Sequence, residues 1–327
     1  MAGRSNRSSL PARSRAWPTP TTCAGTPGGQ QFTISFGGRA GLVIRDAATG
    51  VYKLQNDDNT KLEYLTGAAN GTFDGGYWRL TDTSGTQYWF GVNRIPPGWS
   101  AGKDNYSADI VPVYGLPGQP CYSNTGFGNS SCMQAYAWNL DYVVDLNGNS
   151  QGFFYTQDTN FYKSQAGSGT LKAYHRASRL ARVDYGMRAG TELSTQAPIH
   201  VNLNYTGRCQ GVTGCPTPNG DVPAEFVCAS SGTCTTYSPT FFTFYRLQTV
   251  ISQSLSVNPP AGYGNTDFWT FFHAMPDPGD GTKPALWLGN VIHQAPTRPH
   301  PRAAGSPTLP SNSPANHCTT VSGPSTA

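Results

Sequence analysis

The sequence predicts an all-β protein in which antiparallel hairpins form one extended sheet or shell. Three observations predict this class. Apolar and polar residues alternate with a period of two along much of the chain. Asp, with Gly or Asn close behind it, recurs between such runs, as in β-turns. The 327 residues also include 38 Gly and 26 Pro, which favour many turns over long helices.

The alternation is clearest in IHVNLNY, residues 199–205, which places apolar side chains on one face and His or Asn on the other. This pattern is typical of a half-buried strand. Similar runs predict further strands at 180–185, 244–251, 266–273 and 285–293.

The stretch WNLDYVVDLNGNSQGFFY, residues 138–155, combines acids and amides with aromatic residues, as an active site does. Its alternation favours a hairpin instead, with Asn139, Asp141 and Asp145 on the solvent-facing side. The dipeptide Asn147-Gly148 predicts a type I′ turn, in which both central residues have positive φ.

Four units of this strand–turn–strand kind recur at irregular spacing. Asp at the first turn position bonds its own backbone two residues on, and Gly or Asn accepts the left-handed conformation at the close. The predicted turn residues are Asp46, Gly50, Asp57, Asn59, Asp82, Gly85, Asp145 and Gly148.

The two ends differ in composition from the β-rich region, which we place at residues 32–293. Residues 1–31 and 294–327 show no periodicity, and we expect them to be disordered tails or out-of-frame translations. Six arginines in these tails account for the net charge of +4, which leaves 16 basic and 18 acidic residues elsewhere. This balance excludes a basic nucleic-acid-binding face on the folded part. No apolar run has the length of a signal peptide or a membrane span.

Six of the eight cysteines form three close pairs in Gly-, Ser- and Asn-rich sequence: Cys121 with Cys132, Cys209 with Cys215, and Cys228 with Cys234. No pair has C-x-x-C spacing and no His follows at zinc-ligand distance, so local disulfides are favoured over a zinc site. Reduced surface thiols are the alternative. Disulfides imply an oxidising compartment, hence an extracellular or cell-surface protein whose signal peptide is absent from this chain.

Sequence motifs for catalysis are incomplete. Gly98 to Gly102 matches the G-x-S-x-G motif around Ser100, but two prolines precede it and no helical pattern follows, so a turn is favoured over a hydrolase elbow. Asp277 and Asp280 fall short of a calcium-binding ligand set. The histidines are scattered. We therefore expect no catalytic residue, metal or cofactor, with a serine hydrolase through Ser100 as the weaker alternative.

Aromatic residues in the segments YWRL and QYWF suggest a second alternative, a secreted carbohydrate-binding module. Tyr77, Trp78, Tyr88 and Trp89 would stack on sugar rings if they face solvent, although aromatic ladders between strands are the more common use.

The hairpin units YWRLTDTSGTQYWFG, WNLDYVVDLNGN and DPGDGTKPALWL, together with the three cysteine pairs, resemble the region upstream of the YD repeats in bacterial RHS/YD-repeat proteins. The segment from Tyr142 to Asp145, followed by Gly148-Asn149, looks like a diverged YD unit. The resemblance extends over about residues 32–293. It implies a β-rich shell similar to those of Tc toxins and teneurins, secreted or displayed on the surface.

In many members of that family the shell encapsulates and presents a variable C-terminal toxin. This chain lacks the long run of YD repeats and any toxin domain, so the resemblance implies a structural scaffold fragment of a polymorphic-toxin-type protein, without activity of its own. The expected partners are the remainder of its shell or an encapsulated toxin, with cell-surface glycans as another possibility.

Overall fold

The structure, a computed structural model, describes residues 12–15, 31–97, 102–215, 220–258 and 261–295. In this part of the chain the predicted all-β, antiparallel architecture is confirmed. The helical segments described are three single turns of 3-10 helix, at Phe127–Asn129, Gln165–Gly167 and Ala224–Phe226.

Eighteen strands make up the described part of the fold. The first eleven are β1 Ala12–Arg15, β2 Gln31–Phe36, β3 Arg39–Arg45, β4 Tyr52–Leu54, β5 Lys61–Leu65, β6 Tyr77–Thr81, β7 Gln87–Phe90, β8 Arg94–Ile95, β9 Lys103–Asp104, β10 Ala108–Tyr114 and β11 Ser131–Trp138. The others are β12 Leu140–Val144, β13 Asn149–Lys163, β14 Leu171–Arg188, β15 Ile199–Gly207, β16 Tyr245–Ser256, β17 Gly262–Ala274 and β18 Trp287–Gln294.

Sixteen strands form one antiparallel sheet in the order β10-β11-β1-β2-β3-β4-β5-β6-β7-β12-β13-β14-β15-β16-β17-β18, and β8 pairs with β9 separately. From β12 onward each strand pairs with the next one in the chain. Such short connections are the commonest way to build an antiparallel sheet.

The sheet curls back on itself at its N-terminal half. Asn139 alone separates β11 from β12, yet β11 pairs with β1 whereas β12 pairs with β7. Strands β1 to β7 therefore lie between the two halves of one nearly continuous strand. The segment from β8 to β10 is an excursion that leaves after β7 and returns through β11.

An aromatic and aliphatic core fills the curled part of the sheet. Its buried members are Phe32, Ile34, Leu54, Leu62, Trp78, Leu80, Phe90, Ala135 and Trp138. The Phe32 ring meets Trp78 edge to face at 5.1 Å, an arrangement that adds to the gain from burial. Gly91 has a φ of 78° and a Cβ there would lie 2.1 Å from Trp138 Cδ1, so only glycine fits beside that ring.

Three disulfides close short loops, as the cysteine spacing predicts. The Cα–Cα distances are 5.1 Å for Cys121–Cys132, 5.5 Å for Cys209–Cys215 and 5.3 Å for Cys228–Cys234. All lie within the range that a disulfide spans. The Cys121–Cys132 bond closes the loop between β10 and β11. The other two bonds close loops between β15 and β16.

The β12–β13 turn differs from the predicted type I′. Gly148 has a φ of 75° but Asn147 keeps a negative φ, and the Gly148 N–H donates to the Asp145 carbonyl at 3.1 Å. The type I′ prediction was therefore wrong. The Asp145 carboxylate accepts the N–H groups of Asn147 and Asn149, which stabilises a turn with one left-handed residue at its end.

The other predicted turn residues occupy related positions. Asp82 repeats the Asp145 pattern, with the Gly85 N–H donating to its carbonyl. Asp46 begins a turn one residue longer, because the Gly50 N–H reaches its carbonyl. In the β4–β5 loop the Asp57 carboxylate accepts the N–H of Asn59, whose φ is 63°. The units thus share Asx bonding but not one turn length.

The predicted tails lie largely outside the described residues. From residues 1–31 the structure describes strand β1 and Gln31, and the backbone of β1 pairs with β2 and β11. From residues 294–327 it describes Gln294 and Ala295 alone.

Candidate functional site

Asn139 and Asp141 do not face solvent. Both side chains are buried, Asp141 completely, so their predicted placement on a wet face was wrong. Two local features cause the difference: the β7–β12 register shifts between Leu140 and Tyr142, and the excursion covers the outer face of β12. Asp145, at the turn, is partly exposed.

The buried Asp141 carboxylate accepts hydrogen bonds from residues on both sides of the β8–β9 hairpin. It accepts the N–H of Val92 at 2.6 Å and of Asn93 at 3.2 Å. The Asn105 amide donates to it at 2.8 Å, and the Ser107 hydroxyl also donates to it. Four donors, two just before β8 and two just after β9, therefore converge on one side chain of the sheet.

A second buried carboxylate, Asp109, lies on the other side of the β11–β12 junction. It accepts the Ser178 hydroxyl at 2.6 Å and the Asn139 amide at 3.3 Å. Burial raises the pKa of Asp109 to about 6 and that of Asp141 to about 7, because the neutral donors offset only part of the desolvation.

These two carboxylates connect separate segments of the chain to one another through hydrogen bonds. Their hydrogen-bond partners are backbone and side-chain donors of strands and loops, and Asp141 is sealed from solvent. Perturbed pKa values also mark catalytic groups, but these two carboxylates accept several hydrogen bonds from their own chain. The arrangement fixes where the excursion crosses the sheet.

The residues considered for catalysis and metal binding do not assemble into a site within the described part of the chain. Ser100 lies outside the described residues. The carboxylates of Asp277 and Asp280 accept the N–H groups of Gly279 and Thr282, which is Asx-turn geometry. Across the described residues, no three His, Cys, Asp or Glu side chains lie close enough together to hold a metal ion.

The aromatic residues proposed for sugar stacking are mostly engaged. Trp78 is buried in the core, so the prediction of a sugar-binding role for it was wrong. Trp89 is stacked on Tyr77 at 6.0 Å, and the Arg79 guanidinium lies 5.1 Å from its ring centre. Tyr88 donates to Asp82 at 3.1 Å and packs edge to face on Phe36. These rings form ladders between strands.

The two edge strands of the sheet differ in how well they are protected from pairing with a further strand. Strand β10 at one edge carries Pro112, which has no N–H to offer a further strand. The same strand packs on β14, where the Ile110 N–H donates to His175 Nδ1 at 3.3 Å. Gln157 donates to the Ala108 carbonyl at 2.7 Å. This edge is closed by its own chain.

Strand β18 at the other edge has no proline, and no described strand packs over its outer side. Its sequence WLGNVIHQ contains no proline and no formally charged residue, and all eight residues are exposed. Among the described residues no strand pairs with its outer side. Exposed apolar side chains on the last hairpin are Phe272, Trp287, Leu288, Val291 and Ile292, which lie on both faces of the sheet. With respect to the residues that the structure describes, strand β18 is therefore an unpaired, largely apolar edge of the kind that adds another strand.

The sequence predicted a strand at 285–293 but not its position at an edge. One signal for it was available. Edge strands of free proteins usually carry charges or proline, and WLGNVIHQ contains no Lys, Arg, Asp, Glu or Pro.

No helix in the described part of the chain is long and apolar enough to span a membrane. No protein-family model matches the sequence, and no curated protein matches it. Similar solved structures include the N-terminal domain of an effector protein and parts of a Tc holotoxin.

One of them is the N-terminal domain of the effector protein SpvB from Salmonella typhimurium. It is 12% identical, with a TM-score of 0.47, over 88% of this chain and 87% of that chain. The TcdB2-TccC3 structure is 12% identical over 88% of this chain, with a TM-score of 0.37. The Photorhabdus luminescens Tc holotoxin pore is 10% identical over 81% of this chain, with a TM-score of 0.39. The chain spans 12% of the length of each of the last two.

Proposed function

We propose that this chain is a structural β-scaffold whose sheet continues across β18 into further strands, as in the shell of an RHS/YD-repeat protein. The observation that carries the proposal is the contrast between the two sheet edges. Strand β10 is closed by Pro112 and by β14, whereas β18 is apolar, uncharged and open. An edge of this kind promotes aggregation of a free protein, whereas in an assembly it pairs with the next strand.

The chain order supports continuation at β18. Each strand from β12 to β18 pairs with its predecessor, so a following hairpin would extend the sheet by the same step. Strands β13 and β14 are 15 and 18 residues long, well above the usual five or six. Long strands joined in order make an extended wall rather than a small closed domain.

The remaining parts of the proposal concern setting and partners. The scaffold pairs with further strands of its own shell, which in the resembled family encloses a toxin. Three disulfides support a place outside the cell, where such bonds persist. The scaffold has no catalytic activity; a fluorophosphonate probe that labels the wild type but not Ser100→Ala would contradict this part.

Sedimentation velocity of the intact chain tests the open edge. We expect the wild type to associate as its concentration rises, because the exposed β18 edge pairs with another copy when no natural partner is present. Val291→Lys places a charge on that edge and should reduce the association at least tenfold.

Leu116→Lys is the matched control, since Leu116 is also an exposed apolar residue but lies in the loop after β10. It should associate like the wild type. A wild type that stays monomeric throughout, or equal effects of the two lysines, would contradict the proposal.

A further inference from the structure

A groove of about 550 Å³ opens beside the curled core, bounded by three hairpins. Its floor is a row of side chains across four neighbouring strands. Val143 of β12 is opposite Tyr88 of β7 and Gln151 of β13. Tyr185 of β14 lies next in the row, and Phe36 and Phe153 form the walls. The volume falls within the range of roughly 300–1,000 Å³ that is typical of ligand sites.

A β-bulge presents Tyr185 to this groove. The β13–β14 register shifts between Ser150 and Gly152, opposite the residues around Tyr185 and Gly186. Gly186 has a φ of 79°, which a side chain would strain, and it lines the groove without filling it. Tyr185 is 48% exposed although its neighbour Asp184 is buried. Bulges commonly redirect a side chain beside a functional site.

The groove offers neutral chemistry. Its lining includes one ionisable carboxyl group, that of Asp145, and this group is already occupied by the N–H groups and the side-chain amide of its own turn. Gln151 and Tyr185 make no side-chain hydrogen bond to any residue that the structure describes. An amide and a phenol are thus free for a ligand, between aromatic rings that offer apolar faces.

The backbone of the floor favours a sugar over a peptide. Strands β7, β12, β13 and β14 are each paired on both sides, so the floor presents no free strand edge to an extended polypeptide. Recognition must therefore use side chains. Apolar ring faces beside neutral hydrogen-bonding groups match a ligand with C–H faces and many hydroxyls.

We propose that the groove lined by Phe36, Tyr88, Gln151, Phe153 and Tyr185 binds a neutral oligosaccharide. Tyr185 supplies the stacking face and its hydroxyl a hydrogen bond, and the Gln151 amide orients the hydroxyls of the sugar. This site is separate from Trp78 and Trp89, which serve the core and a strand ladder.

The test is calorimetric titration of the intact chain with neutral cello-, xylo-, malto- and chito-oligosaccharides. At least one series should bind, and Tyr185→Ala should weaken binding tenfold or more. Tyr122→Ala is the control, because Tyr122 is a comparably exposed tyrosine in the Cys121–Cys132 loop. Near-ultraviolet circular dichroism establishes that each variant is folded. Gln151→Ala, which leaves every ring in place, should also weaken binding and replaces Tyr185→Ala if that variant unfolds.

Absence of binding to every series at millimolar concentration would overturn the proposal. So would binding that survives both groove substitutions, or a groove that takes up unfolded polypeptide and no sugar. Val291→Lys should bind sugar like the wild type, which separates this inference from the proposed role of β18.

Discussion

At the scale of the residue, Asp141 decides how the excursion is attached to the sheet. Its single carboxylate receives two backbone and two side-chain donors, so its removal leaves several buried groups without a partner. Buried donors that lose a charged acceptor cost more free energy than a surface bond is worth. The residue is structural, although its burial and its raised pKa resemble those of a catalytic acid.

The raised pKa gives a prediction with a defined sign. An unfolded Asp has a pKa of about 3.9, whereas burial raises that of Asp141 to about 7 in the folded chain. The folded state then binds the proton more tightly, so this contribution to stability is full below about pH 4 and is lost as pH rises through 7. Urea unfolding should show that the stability of the wild type relative to Asp141→Asn falls between pH 4 and 7.

The comparison between variants is needed because other groups titrate in the same range. Burial lowers the pKa of His175 and His200, which makes their contribution rise with pH toward 6.5. Asp145→Asn is the control, since the turn's hydrogen bonds lower the pKa of Asp145 and confine its effect to more acidic solution. A wild-type advantage over Asp141→Asn that stays constant from pH 4 to 8 would contradict the assignment.

At the scale of the element, turns and strands follow local rules that the sequence displays. Asp and Gly at hairpin ends identify the turns. The Asp carboxylate accepts a nearby backbone N–H and Gly takes a positive φ, as Asp82 and Gly85 do. The exact turn type was less predictable: in the Asp145 turn, one carboxylate bonds two N–H groups and this selects a negative φ at Asn147.

The Cys228–Cys234 disulfide supplies an element-scale prediction. Both sulfurs are buried, and the Cys228 N–H donates to Asn160 in β13 at 2.9 Å, so the loop is bound to the sheet as well as closed. Replacing both cysteines by serine should lower the free energy of unfolding by roughly 2 kcal/mol, through the freed loop in the unfolded chain. Urea unfolding measures it, with mass spectrometry showing that the other two bonds remain. Unchanged unfolding would mean that the bond does not form in solution.

At the scale of the whole molecule, the features that could not be predicted from the sequence are those formed by segments far apart in the chain. Asp141 alternates correctly for a solvent-facing position, but donors from distant residues such as Val92 and Ser107 cover it. The groove joins residues from Phe36 to Gly186, which no local pattern connects. The position of β10 and β18 at opposite edges likewise depends on the pairing of the complete sheet.

The open edge is the central claim, and hydrogen exchange of the intact chain at low concentration tests it most directly. Alternate amides of β18 face β17 and should be protected, while those on the outer side should exchange almost as fast as in an unfolded peptide. Raising the concentration should slow the outer amides alone. Outer amides that are already protected in the dilute monomer would show that the chain covers its own edge, and the scaffold proposal would lose its basis.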